Sequence, residues 1–206
     1  MAVPGASTET TIDLIRHGEP VGGRRYRGQT DDPLSEKGWA QMRSAVGDAR
    51  PWDVVVSSTL SRCLAFAREL SDRHGLPLET DSRFMEIGFG EWEGRTPEEL
   101  MALDPLLIER FREDPVARRP QGAEALADFA ARVGAAWREV VVRHAGRHVL
   151  IVAHAGVIRS VVGQVLEVPL HRVFRISVPA AGISRIRVRQ RGAKIIPELL
   201  FHAGRL

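Results

Sequence analysis

The feature that most constrains this chain is an apolar run that stops abruptly on charge and imidazole. Residues 12–15 lead directly into Arg16-His17-Gly18-Glu19. A short apolar run of this kind reads as a buried strand. Its end marks the carboxyl edge of a sheet, where ligands of open α/β sheets bind. The arrangement recurs: residues 149–153 run into His154-Ala155-Gly156. Two strands that each end in histidine, one with an adjacent arginine, predict a positively charged pocket for an anion, best matched by a phosphoryl group.

Around these runs, strand and helix patterns alternate, which argues for an α/β layer fold. The expected order begins with a strand at 11–15 and a polar loop at 21–33. A helix follows to about residue 48, opened by Ser35 as N-cap. Next come a strand at 53–57, a helix at 60–74 stopped by Gly75, and a short strand at 76–79. Two short helices lie within 96–114, broken at Asp104-Pro105 and ended at Asp114-Pro115. A long helix covers 123–144, with Leu126, Phe129, Val133, Ala136, Trp137 and Val140 at helical spacing. A strand at 149–153, a helix at 156–166 and two late strands near 172–177 and 182–189 complete the pattern. The prediction is a three-layer α/β fold, a mostly parallel sheet flanked by helices. It forms a single domain over 1–206 with a small helical lid insert at about 96–120. Residues 1–10 read as a polar lead-in without the basic and apolar regions of a signal peptide.

Charge and cysteine usage narrow the partners. The formal net charge is +3, from 29 Lys+Arg against 26 Asp+Glu. That mild excess suits a small phosphorylated metabolite better than nucleic acid. No apolar run approaches the roughly 18 residues of a membrane span, so no membrane partner is expected. Cys63 is the single cysteine, which excludes an intrachain disulfide and fits a reducing, cytoplasmic setting. Arg185, Arg187, Arg189 and Arg191 alternate with Ile186 and Val188 and read as an edge strand with charges to solvent, an anion-facing surface being the other reading. His144 and His148 are four apart, but Gly146 between them argues against a helical zinc pair. His74, His171 and His202 read as surface or cap residues. A homodimer is left open.

Cleaving a phosphomonoester requires that the phosphoryl oxygens be held, that a nucleophile attack phosphorus, and that a proton reach the leaving alkoxide. Arginine forks suit the first task, a neutral histidine the second, and a carboxylic acid the third.

Six segments, in order, resemble the histidine phosphatase (phosphoglycerate mutase-like) superfamily. They are Arg16-His17-Gly18-Glu19; Gly28-Gln29-Thr30-Asp31-Asp32-Pro33-Leu34-Ser35 with Gly38 and Gln41; Ser57-Ser58-Thr59-Leu60-Ser61-Arg62; the stretch from Glu86-Ile87-Gly88 to Trp92-Glu93-Gly94; Gly122-Ala123-Glu124 with Arg132-Val133; and Val152-Ala153-His154-Ala155-Gly156-Val157-Ile158-Arg159. The resemblance implies that His17 is the phosphorylated nucleophile and that Glu86 is the proton donor. It also implies that Arg16, Arg62 and His154 surround the phosphoryl oxygens, and that no metal or other cofactor is used. Gly23, Arg27, Gly28, Phe89 and Ala155 are expected to complete the substrate site. Glu19 reads as a ligand for Arg16 or Arg62, and Phe89 and Trp92 as wall and packing residues.

The chain departs from the family pattern in three places. Gly23 stands where an asparagine often helps hold phosphate, with Arg24, Arg25 or Arg27 as candidates to compensate. Ala155 replaces the usual glycine after the second histidine, and Ala125 a usual serine. The short insert and the Glu86-Ile87-Gly88-Phe89-Gly90 segment favour hydrolysis. Within the phosphatases, Tyr26-Arg27-Gly28 and the 89–93 segment look most like α-ribazole-5′-phosphate phosphatases. Mutase-type phosphoryl transfer and a non-catalytic phosphate-binding protein are the alternatives.

Overall fold

The computed structural model describes residues 8–192 and 194–206. Residues 1–7 of the expected lead-in lie outside the described residues. Residues 8–10 belong to the first strand, which runs further back than the apolar run alone suggests.

Among the described residues, six strands form one sheet: β1 (Thr8–Arg16), β2 (Val54–Ser57), β3 (Leu78–Thr80), β4 (His148–Ala153), β5 (Ile183–Arg191) and β6 (Lys194–Gly204), in the order β3-β2-β4-β1-β5-β6. The first four are parallel to one another, and β5 and β6 add an antiparallel edge beside β1. The helices are α1 (Glu36–Val46), α2 (Ser61–His74), α3 (Pro97–Leu103), α4 (Leu107–Glu113), α5 (Leu126–Arg143) and α6 (Ala155–Val165).

Strand side chains alternate between two buried faces. Ile12, Leu14, Val56, Val149 and Ile151 pack against α5 and α6. Ile15, Val55, Leu150 and Val152 pack against α1 and α2. The expected three-layer α/β fold is the one observed. A third cluster, Trp92, Leu100 and Phe111, joins α3 and α4 to the loops at the sheet's carboxyl edge.

Two features near the C-terminus differ from expectation. Residues 172–177 are not a strand. Pro169 opens a 3-10 turn, Leu170–Arg175, in which Val173 is buried against the α5–α6 side of the core. A β-branched and aromatic run imitates a strand when its side chains cover a pocket instead. The strand that follows β5 is β6, which carries Pro197, a residue tolerated in an edge strand. Consequently β5 is interior, and its arginines are not simply solvated. Arg187 and Arg189 pair with Glu198 of β6 and approach Glu9 of β1. Arg185 grips Asp13 with two hydrogen bonds of 2.7 and 2.9 Å. Asp13 is fully buried. Burial alone would raise its carboxyl, but hydrogen bonds from His148, Arg185 and Trp52 outweigh it and hold the group below its usual value. His148 thus serves a structural carboxylate.

Candidate active site

Parallel pairing brings the two histidine-bearing strand ends side by side, with Arg16 of β1 opposite Ala153 of β4. The backbone N–H of His17 donates to Ala153 O, so the chain stays in register one residue past the strand. On the other flank, β2 pairs with β4, and its chain continues through Ser58 into α2, which presents Arg62 in its first turn. Close backbone packing fixes the loop after His17: a Cβ on Gly18 would run into the Gly38 carbonyl at the start of α1.

A cavity of about 450 Å³ opens over this edge. Arg16, His17, Gly23, Arg27, Gly28, Arg62, Glu86, Phe89 and Ala155 all line it. His154 is fully buried behind the wall, its ring 5.2 Å from that of His17 at an interplanar angle of 63°.

The geometry sets the protonation of both rings. His17 Nδ1–H donates to the Gly18 carbonyl at 2.7 Å, which leaves Nε2 as the unprotonated nitrogen. Burial first, then the charges of Arg16 and Arg62, push the His17 imidazolium well below the usual histidine value. Burial and Arg62 do the same for His154, whose Nε2 lies 2.8 Å from Ser58 Oγ. The Cys63 thiol packs beside it, 3.5 Å from Nε2, and burial pushes that thiol far up, so it stays protonated.

Arg62 is almost fully buried, and its Nη1 and Nη2 donate to Thr30 O and Gly28 O, both at 2.7 Å. Arg16 Nη1 donates to Val178 O. The Nε–H of each arginine is buried without a partner among the described residues. Orphaned charged donors are rare in folded proteins and call for an acceptor. Glu86 receives N–H bonds from Ile87 at Oε1 and from Gly156, in the first turn of α6, at Oε2. Arg132 holds the Glu86 carbonyl and pairs with Glu124.

Some expectations shift. Glu19 lines the cavity but pairs with Lys37, not with Arg16 or Arg62. Its own carbonyl seats Ser35 at the start of α1, which turns the side chain toward that helix. Arg27 is tied to Asp32 and Val21 O, and Arg25 to Gly22 O and Gly94 O. Arg112 and Arg159 also line the cavity, with Tyr26, Phe111 and Phe174. Arg159 falls inside a recognised motif, yet no local signal marks it or Arg112 as facing the site. Among the described residues, no cluster of three or more His, Cys, Asp or Glu is placed to hold a metal ion. Among the same residues, no helix is long and apolar enough to cross a membrane.

Comparison with known proteins identifies the family. The family model for the histidine phosphatase superfamily, branch 1, matches residues 12–196. Phosphoserine phosphatase 1 of Hydrogenobacter thermophilus is 33% identical over 184 residues, 86% of each chain. A probable phosphoglycerate mutase of Yersinia pestis is 30% identical over 189 residues, 85% of this chain and 83% of the other. The chain spans about half the length of three mycobacterial relatives, each 32% identical to it. Among solved structures, a mycobacterial glucosyl-3-phosphoglycerate phosphatase in complex with VO3 superposes with a TM-score of 0.82 at 29% identity, covering 94% of this chain and 98% of the other. The α-ribazole phosphatase from Shigella flexneri gives 0.77 at 25%, covering 94% and 96%. The chain belongs to the histidine phosphatase superfamily, branch 1. In enzyme class it is a phosphoric monoester hydrolase acting on phosphorylated small molecules.

Proposed function

We propose that the chain hydrolyses its substrate through a phosphohistidine on His17. The observation that carries this is a neutral imidazole with a free Nε2, beside the buried Arg62 and the half-buried Arg16, whose buried Nε–H donors lack an acceptor among the described residues. In the first step Nε2 attacks phosphorus and the bond to the leaving oxygen breaks. Glu86 supplies the proton to that oxygen. In the second step water attacks the phosphohistidine, gives a proton to Glu86, and inorganic phosphate leaves. Arg16 and Arg62 neutralise the phosphoryl oxygens throughout. His154 backs His17 from behind the wall, its ring edge-on to that of His17. Of the three candidates to replace the missing asparagine at Gly23, Arg24 fits best. All three line the cavity, but Arg25 and Arg27 are already tied to the loop.

Helices α3 and α4 stand beside the cavity as a small lid within one domain over 1–206, Phe111 and Arg112 reaching the wall. Two helices of seven residues each make a short cover, which favours water attack over mutase-type return of the phosphoryl group. For α-ribazole 5′-phosphate, the support is the likeness to the Shigella flexneri structure. The residues that suggested it act mainly within the protein: Tyr26 meets Phe89 and Trp92 edge-on, and Glu93 binds the backbone N–H groups of Gln29, Thr30 and Phe89.

A leaving-group comparison tests the mechanism. Glu86→Gln slows hydrolysis of an alkyl phosphate by about 10²–10⁴-fold, the usual worth of general acid–base assistance. 4-Nitrophenyl phosphate, whose phenolate leaves unaided, is affected far less. Equal losses on the two esters contradict the assignment of Glu86.

A further inference from the structure

The cavity is larger and more positive than a phosphoryl group needs. Its volume of about 450 Å³ lies within the roughly 300–1,000 Å³ typical of small-molecule sites. Seven arginines line it against two glutamates, Glu19 and Glu86. Glu19 is already paired with Lys37. Arg16 and Arg62 are assigned to the phosphoryl group, and Arg25 and Arg27 to the loop.

Arg112 and Arg159 belong to a different wall, built by α4, α6 and the Leu170–Arg175 turn. Arg159 Nε donates to Ile176 O at 2.9 Å, and its guanidinium carbon lies 5.4 Å from the centre of the Phe174 ring. Phe174 meets Phe111 edge-on at 5.0 Å. These contacts fix the guanidinium plane and leave its two Nη groups for another partner. The Arg112 guanidinium lies beside the Tyr26 hydroxyl. Among the described residues, neither arginine has a carboxylate within ion-pair distance. Arg112 is exposed, whereas Arg159 is half-buried, and burial works against its charge more than Glu86 works for it. A guanidinium does not deprotonate in proteins. Holding the Arg159 guanidinium there without a carboxylate paired to it is unfavourable unless a ligand supplies the anion.

We propose that Arg159 and Arg112 form a second anion subsite, and that the substrate is a phosphomonoester whose remainder carries a carboxylate or a further phosphate. This rests on the phosphohistidine reading and specifies its substrate. A neutral nucleoside remainder, as in α-ribazole 5′-phosphate, leaves both guanidinium groups unmatched.

Matched ester pairs test it. 3-Phosphoglycerate and glycerol 3-phosphate differ in one carboxylate, and fructose 1,6-bisphosphate and fructose 6-phosphate in one phosphate. For one pair, kcat/KM is at least tenfold higher for the charged member, the scale of one charge-assisted hydrogen bond. The pair that responds identifies the anion. Arg159→Gln lowers kcat/KM for that member at least tenfold more than for its partner. Calorimetric titration of His17→Ala with the same four esters reads the subsite without turnover, and at least tenfold tighter binding of one charged member is expected. Equal kcat/KM and equal affinity within both pairs, or equal losses for both members in Arg159→Gln, overturn the subsite. Failure of wild-type protein to hydrolyse 4-nitrophenyl phosphate contradicts the hydrolysis reading instead, and the titration then decides the subsite alone.

Discussion

Arg62 shows how much of the site depends on a single side chain. Its two terminal nitrogens are committed to the carbonyls of Gly28 and Thr30, so the loop orients the fork and leaves Nε–H for the ligand. Lysine keeps the charge but not the fork. Arg62→Lys is therefore expected to lower kcat/KM at least tenfold, or by about 1.4 kcal/mol or more of transition-state stabilisation. Steady-state kinetics on any ester the enzyme turns over checks this, and near wild-type values place Arg62 outside the reaction. His17, Arg16, Arg62, Glu86 and His154 are legible in the sequence as candidates because each sits in a contiguous motif, and the fold gathers the first four on the cavity with His154 behind it. Arg112 and Arg159 are not, since an arginine on a helix becomes a site residue only when the fold turns that face toward the cavity. Glu19 is misread for a related reason: Lys37 lies 18 positions away along the chain yet only 2.9 Å away in space.

At the scale of elements, the site is a product of the parallel β2-β4-β1 arrangement and of tight packing where α6 begins. A Cβ on Gly156 would overlap Glu86 Oε1, so glycine there lets the carboxylate reach the first turn of α6. Gly156→Ala displaces Glu86, and misplacement of about 1 Å costs a reaction roughly 10²-fold. Alkyl phosphate hydrolysis should fall by about that factor with an unchanged circular dichroism spectrum; wild-type rates would show that Glu86 need not sit there. The central strands and the larger helices are legible from apolar spacing, with ends displaced by a few residues. The 3-10 turn over Leu170–Arg175 and strand β6 are not. Val173 and Phe174 carry strand-like residue types into a pocket wall, and the pairing that makes residues 194–204 a strand comes from β5, not from their own pattern.

For the molecule as a whole, keeping two imidazoles neutral inside a positive pocket has a pH signature. His17 and His154 both have folded-state values well below the ordinary 6.5. Below about that pH the unfolded chain binds protons that the folded chain refuses, so stability is full above it and falls as pH drops. The limiting slope is about 1.4 kcal/mol per pH unit for each histidine. Urea unfolding at pH 7.5 and pH 5.5 should show this loss, and a variant lacking both histidines should show less of it; an identical pH dependence in the two proteins would remove the histidines as its source. The central claim, covalent catalysis by His17, is most directly tested by rapid acid-free quenching of the enzyme during turnover of a ³²P-labelled phosphomonoester. Protein-bound label that is stable to base, lost in acid and absent from His17→Ala is the predicted result. Equal labelling of His17→Ala, or turnover by that variant at the wild-type rate, would contradict it.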